Sequence, residues 1–396
     1  MRIILAYSGG LDTSVAVKWL AEKYQAEVIT YTADLGQGID LEAVKEKALR
    51  TGASRAIVED VREEFVKDFV FPALKAGALY QGEYPLATAL GRPLIASRMV
   101  EWAKIHQADA LAHGCTGKGN DQVRFELTFM ALAPHLKVIA PAREWEFTSR
   151  EEEIEYAREK GIPLEVTLES PYSIDRNLWG VSIECGILEN PETEPPEEVY
   201  QLTRMPPPDT PPSYLEIEFR EGIPVTLNGE NLKGVEIIEK LNQRGGEYGV
   251  GRIDMVEDRV VGIKSREIYE APAAIILHKG REALEALVLD RESRSLRKIL
   301  AQKYSELVYY GWWFSTLREA LDSFFNSLLS SLEGKVRIKL LPGKAEVVGR
   351  ESPFSLYEEK LATYSGEDIF DHSASEGFIK IWGLPLRVEG EKRRKT

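Results

Sequence analysis

The sequence predicts an α/β protein: an open parallel sheet over the first third of the chain, then a second, α+β domain. Three features predict it. Short apolar runs alternate with helix-period segments between Arg2 and Ala140, the order of a parallel sheet covered by helices on both faces. Polar, glycine-bearing segments follow three of those runs, at Ser8–Ser14, Ala33–Gly38 and Gly114–Arg124. Open sheets bind ligands there, beyond the carboxyl ends of their strands. Past residue 212 the pattern turns to period-two alternation, as in Tyr214–Phe219 (YLEIEF), a half-buried antiparallel strand.

The elements follow in order. Arg2–Tyr7 (RIILAY) is a short apolar run, read as a buried first strand rather than a signal peptide. Gly9 and Gly10 break it. Asp12–Tyr24 places Val15, Ala16, Trp19 and Leu20 on one helical face. Glu27–Thr32 is a second strand, Leu41–Arg50 a helix, Arg55–Glu59 a third strand and Asp60–Gly77 helical. After a loop at Gln81–Arg92, Pro93–Gln107 is helical, Ala110–His113 a strand and Val138–Ala140 the last strand of the unit. Pro191–Pro212 holds 8 of the 20 prolines, so it reads as an extended linker or surface arm. Beyond it, strands are expected at Val225–Leu227 and Val260–Lys264, and helices at Gly234–Asn242 and Arg281–Tyr310. Val336–Leu341 and Ala345–Val348 make a hairpin around Pro342-Gly343. Trp312-Trp313-Phe314 reads as core or as a subunit contact. The tail from Tyr357 mixes a short helix with a solvated basic end, Lys392–Lys395.

Composition narrows the function. At 396 residues the chain makes about two or three domains. No run approaches the ~18 apolar residues of a membrane helix. Fifty basic against 64 acidic residues give −14, which argues against a broad nucleic-acid surface. Two cysteines, Cys115 and Cys185, make no disulfide scaffold and suggest a reducing, cytoplasmic setting. His113 lies two residues before Cys115, but no second ligand pair completes a zinc site.

The strongest local signal is Ser8-Gly9-Gly10-Leu11-Asp12-Thr13-Ser14 between a strand and a helix. Two glycines allow a tight turn and a close ligand approach. The helix N-terminus and its free N–H groups favour an anion. Ser8, Thr13 and Ser14 add hydroxyl donors. Asp12 does not suit a bare anion site; it fits a helix N-cap, or a magnesium ion riding on phosphates. The Gly-x4-Gly-Lys-Ser/Thr loop is absent, and Gly36-Gln37-Gly38 and Gly249-Val250-Gly251 lack a third dinucleotide-loop glycine.

SGGLDTS after a first strand resembles the loop of the N-type ATP pyrophosphatases, of the adenine nucleotide alpha hydrolase-like fold. These cleave ATP between its α and β phosphates and adenylylate a substrate oxygen. Longer blocks resemble one family, the argininosuccinate synthases. They are TADLGQG (Thr32–Gly38), HGCTGKGNDQVRFE (His113–Glu126), YSIDRNLWGVSIECGILENP (Tyr172–Pro191), GVGRIDMVEDRVVGIKSREIYEAPA (Gly249–Ala273), ELVYYGWWFS (Glu306–Ser315) and GRESPFSLY (Gly349–Tyr357). The matches are collinear and span nearly the whole chain.

The resemblance implies a ligase that joins L-citrulline to L-aspartate, with ATP as substrate and Mg2+, releasing AMP and diphosphate in arginine biosynthesis or the urea cycle. It implies a nucleotide-binding domain at 1–165, a synthetase domain at 166–356 and a C-terminal oligomerisation arm at 357–396 in a homotetramer. It assigns Ala6, Tyr7, Ser8, Gly9, Gly10, Leu11, Asp12, Thr13, Ser14, Ala33 and Gly114 to ATP. Thr116, Asn120 and Asp121 fall to aspartate; Tyr84, Thr88, Asn120, Arg124, Ser173, Ser182, Glu257 and Tyr269 fall to citrulline. The residue types suit the task, since a hydroxyl, an amide and an arginine hold carboxylates while Asp121 and Glu257 receive ammonium groups. Ala89 departs from the family, some of whose members carry a hydroxyl there. Such chemistry needs no covalent nucleophile, because positioning and electrostatics carry much of the rate. Two rival readings are a tRNA-thiolating enzyme of the same loop class, with Cys115 as its reactive thiol, and a non-enzymatic nucleotide sensor. The lack of a nearby second cysteine disfavours the first, which makes Cys115 a packing residue. Intact amino-acid pockets disfavour the second.

Overall fold

The computed structural model describes residues 1–147, 149–163 and 171–394. Strands β1 (Arg2–Ala6), β2 (Glu27–Asp34), β3 (Arg55–Asp60), β4 (Ala110–Ala112) and β5 (Lys137–Ile139) pair in parallel in the order β3-β2-β1-β4-β5. The chain winds outward from β1 through β2 to β3, then returns to build β4 and β5 on the other side. The winding therefore reverses between β1 and β4, which opens a crevice at their carboxyl ends. Ile3, Ile4 and Leu5 are fully buried, as a strand covered on both faces requires.

Helices Leu11–Tyr24, Leu41–Thr51, Ala87–His106 and Asn120–Leu132 cover this sheet. Two of them differ from expectation. The third begins at Ala87 rather than Pro93, and Pro93 sits inside it. Proline removes one helical hydrogen bond, but Ala87, Ala89, Leu90 and Leu94 are buried along this helix, and packing overrides the local penalty. The fourth starts at Asn120, inside the segment expected to be a polar loop. The stretch Asp60–Gly77 is helical as expected from Arg62 to Ala76, with a π-helical turn at Phe65–Val70.

The remaining strands are β6 (Ser173–Asn177), β7 (Gly180–Glu184), β8 (Ser213–Arg220), β9 (Ile223–Leu227), β10 (Glu230–Asn231), β11 (Arg252–Asp258), β12 (Lys264–Glu270), β13 (Gly334–Leu341) and β14 (Lys344–Glu351). They form two antiparallel sheets, β11-β12-β7-β6 and β10-β9-β8-β13-β14. The expected strand at Val260–Lys264 is instead the turn joining β11 to β12, closed by Arg259 N donating to Ile263 O at 2.8 Å. Its β-branched residues resemble a strand, but Val261 and Ile263 lie at an exposed hairpin tip. The single helix expected at Arg281–Tyr310 is two, Pro272–Val288 and Arg291–Tyr309; Asp290 caps the second by accepting from Ser293 N at 2.9 Å.

The proline-rich stretch is tied down. The backbone N–H groups of Gln201, Leu202 and Thr203 all donate to the Glu270 carboxylate, at 2.6, 3.0 and 2.7 Å. Arg252 lies over the Tyr200 ring at 3.7 Å. One hydrophobic core runs across the parallel sheet and the second region, from Tyr31 and Leu94 through Trp179 to Leu277 and Phe325. Trp313 is buried and stacks on Phe69 at 4.7 Å, while Trp312 is exposed. The expected division between residues 165 and 166 lies outside the described residues. Beyond β14, helices Glu359–Ala362, His372–Trp382 and Leu384–Arg393 bury no residue. The basic end, expected to be solvated, is exposed and helical through Arg393; Lys395 lies outside the described residues.

Trp179 is fully buried, and its indole N–H donates to Pro85 O at 2.8 Å. Trp179→Ala should cost about 3–5 kcal/mol, read as a lower urea midpoint by circular dichroism.

Candidate active site

The first loop leaves β1 into helix Leu11–Tyr24. Gly9 has φ +82°, a left-handed conformation that suits glycine. Gly10 is the N-cap and makes no side-chain cap bond. Asp12 is therefore not the N-cap expected of it; it lies one residue into the first turn. The N–H groups of that turn have no helical partner and are donors for an anion. Ser8 and Thr13 hydroxyls meet at 3.2 Å in the loop, whereas Ser14 is buried and bonded to the Tyr7 hydroxyl at 3.0 Å. Lys47 reaches across from helix Leu41–Thr51 and donates to Gly9 O at 2.7 Å.

The three polar segments do converge on the crevice. Ala33, next to last in β2, is buried, its carbonyl accepting from the Gln37 amide at 2.8 Å. Gly114, after β4, packs against Thr13 so closely that a Cβ would lie 3.0 Å from its methyl group. Sequence reasoning missed Glu153, from helix Arg150–Glu159. Burial first, and then the Asp12 carboxylate beside it, push its carboxyl up to about 7. Its run of glutamates gives no signal of this.

A second cluster lies where helix Asn120–Leu132 meets the antiparallel sheet. Asn120, Asp121 and Arg124 share its first turn, and Asp121 pairs with Arg124 at 2.9 Å. The Asn120 amide is held at both ends: its oxygen accepts from Val260 N at 2.9 Å, and its nitrogen donates to the Tyr309 hydroxyl at 2.8 Å. Tyr309 in turn donates to Glu257, which also accepts from Tyr269 at 2.6 Å. Arg124 donates to Tyr309 O at 3.1 Å and stacks its guanidinium over that ring at 4.9 Å. Tyr84 stacks on Tyr269 at 3.9 Å and accepts from Thr88 N at 2.9 Å; Thr88 and Ser182 hydroxyls meet at 3.3 Å.

Seven residues proposed from sequence for citrulline thus form one connected network: Tyr84, Thr88, Asn120, Arg124, Ser182, Glu257 and Tyr269. Ser173 stands apart, exposed on the edge strand β6. Thr116 is exposed at the turn before Asn120. Ala89 is fully buried in the core, so it offers the site nothing.

Three further residues of this cluster escaped sequence reasoning. Arg92 pairs with Asp121 at 2.9 Å and also with Asp175 on β6. Burial pushes the Asp121 carboxyl up, but Arg92 and Arg124 outweigh it and hold it below the usual carboxylate range. Asp175 pairs with Arg92, and Arg124 acts on it more weakly; burial, with the Asp121 charge nearby, outweighs both and keeps its carboxyl above that range. Tyr309 is the third. Asp175 and Tyr309 lie inside the blocks YSIDRN and ELVYYGWWFS, which were the available signal.

Comparison with known proteins places this geometry. A model described as "Arginosuccinate synthase N-terminal HUP domain" matches residues 2–163, and one described as "Arginosuccinate synthase C-terminal domain" matches 172–389. The argininosuccinate synthase of Dictyoglomus thermophilum is 58% identical over 383 residues, 97% of this chain and 96% of that one. That of Chlorobium phaeobacteroides (strain BS1) is 54% identical over 392 residues, 98% of this chain and 97% of that one. The chain belongs to the argininosuccinate synthase family. It is a ligase forming a carbon–nitrogen bond, and its parallel sheet is the HUP domain. The thiolating and sensor readings are not favoured by matches of this length. A predicted subunit of tRNA methyltransferase from Methanocaldococcus jannaschii aligns at a TM-score of 0.27 and 15% identity, over 41% of this chain and 88% of that one. That likeness is too distant to inform fold or function.

Cys115 lies beside the site, but burial first and then the Asp121 charge push its thiol up. It is no thiolate nucleophile near neutral pH. Cys115→Ala should retain most turnover. Alkylation of Cys115 by iodoacetamide at pH 8 should be far slower than that of a free thiol in the same mixture.

Proposed function

We propose that this chain activates the ureido oxygen of L-citrulline with ATP, forming citrulline adenylate and diphosphate. The amine of L-aspartate then displaces AMP to give argininosuccinate, for L-arginine biosynthesis in the cytoplasm. The observation that carries this reading is the connected network of seven proposed citrulline residues beside an anion-binding helix start. The ureido carbon is a poor electrophile and its oxygen a poor leaving group. Adenylylation bonds that oxygen to the α-phosphorus, so that it leaves within AMP when the amine attacks; the task of the site is to bring three ligands together.

The residues divide that work. The first-turn N–H groups after Gly10, with Ser8 and Thr13, cradle phosphates, and Ala33 and Gly114 border the nucleotide. Arg124 and Asn120 hold the citrulline carboxylate end, Glu257 its ammonium, and Thr88, Ser173 and Ser182 its remaining polar groups. Thr116, Asn120 and Asp121 hold aspartate. Asp12, with the buried and unbonded Oε2 of Glu153 beside it, is a hard-oxygen set that fits magnesium. When bound, that ion neutralises phosphate charge. We further read the chain as three parts, 1–165, 166–356 and 357–396, the last an arm that joins subunits in a homotetramer.

An assay with ATP, citrulline and aspartate should yield AMP and diphosphate; ADP and phosphate as products would refute the reading. With ¹⁸O in the ureido oxygen, the label should leave in AMP. Tyr309→Phe removes a hydrogen bond to Glu257 and one from Asn120. It should raise KM for citrulline by about tenfold or more, as loss of bonds to charged groups does, with KM for ATP little changed. A chain ending at Leu356 should sediment with fewer subunits than the full-length assembly; an unchanged tetramer would refute the arm's role.

A further inference from the structure

Behind the wall formed by Tyr80, Tyr310 and Asp258 lies a second cleft, of about 880 Å³, between helices Pro272–Val288 and Arg291–Tyr309. Tyr80 stacks on Tyr309 at 3.5 Å, so this cleft is one aromatic layer away from Glu257. None of the residues proposed for ATP, aspartate or citrulline lines it.

Its floor is basic and buried. Arg281, Arg297 and His278 line it and are at most 6% exposed. One carboxylate answers the two guanidiniums. Arg281 donates to Oε1 of Glu285, and Nε of Arg297 lies 2.7 Å from that same oxygen. The buried set of Arg281, Arg297 and Glu285 therefore has a formal charge of +1, eased by Lys75 O, which accepts from Arg297 at 3.2 Å; such a charge is costly in a low-dielectric site. Both guanidinium ends converge on Gly77, where any Cβ would collide with them. Gly77 has φ +68° and closes helix Phe71–Ala76, so a glycine there meets both demands. Nε of Arg281 and Nδ1 of His278 are buried without a hydrogen-bond partner. Lys279 and Lys298 stand on the rim; Glu282, Glu306 and Asp258 share it. Of these three, Asp258 is engaged by Lys264 and Glu306 by Lys303.

We propose that this cleft is a binding site for a small oxyanion, phosphate or carboxylate, seated on Arg281, Arg297 and His278. Such an anion supplies the missing negative charge, and planar guanidiniums suit both groups. The inference rests on the cleft alone and survives any revision of the reaction assigned above.

The test uses the full chain with its other pockets filled by α,β-methylene-ATP, citrulline and aspartate. Inorganic phosphate and succinate are titrated separately by calorimetry. At least one should bind saturably, one per chain, and which one does so distinguishes phosphate from carboxylate. Arg281→Gln and Arg297→Gln should each weaken it by about tenfold or more. Lys298→Glu together with Lys279→Glu, both exposed, should weaken it by about threefold or more at low salt. That rim variant decides the matter if the buried arginine variants do not fold. Absence of saturable binding of either probe by the unmutated chain overturns the proposal. So does an affinity unchanged in the folded variants.

Discussion

The amide of Asn120 is the tie on which the site depends. It begins a helix of the nucleotide-side sheet, yet its oxygen holds the β11–β12 turn at Val260 and its nitrogen holds Tyr309 at the end of a distant helix. An amide offers a donor and an acceptor on one rigid plane, so it fixes the spacing of both partners at once. Through Tyr309 the tie extends to Glu257 and Arg124. Three segments far apart in sequence are thereby set relative to one another.

Charge is distributed around that tie with the same economy. Arg92 and Arg124 both pair with Asp121, whereas Asp175 pairs with Arg92 and feels Arg124 only from farther off. The two carboxyls consequently behave in opposite ways although a single arginine joins them. One is held below the usual carboxylate range and the other above it, the second in part because the first repels its charge.

Much of this was legible in the sequence. The apolar runs read at Arg2–Tyr7 and Glu27–Thr32 mark strands because both sheet faces are covered, and the strands run Arg2–Ala6 and Glu27–Asp34. The glycine pair after the first marks the loop because few other arrangements bring backbone so near a ligand. What local pattern could not supply was tertiary choice. Pro93 forbids a bond within its helix, but the buried alanines and leucines around it keep the helix intact. Val260 and Val261 favour a strand, and Gly262 turns the chain there instead. Arg92 and Asp175 are 83 residues apart, and no periodicity reveals that they touch. Tyr309 lay in a recognised block, but only the fold shows that its hydroxyl joins two other members of the site.

The last helices of the chain carry a further consequence. His372–Trp382 and Leu384–Arg393 leave Phe378, Ile381, Trp382 and Leu386 open to water. Helices this short are marginal when nothing buries them. Under the subunit arm proposed above, their order follows mass action: it rises as chains associate and falls on dilution.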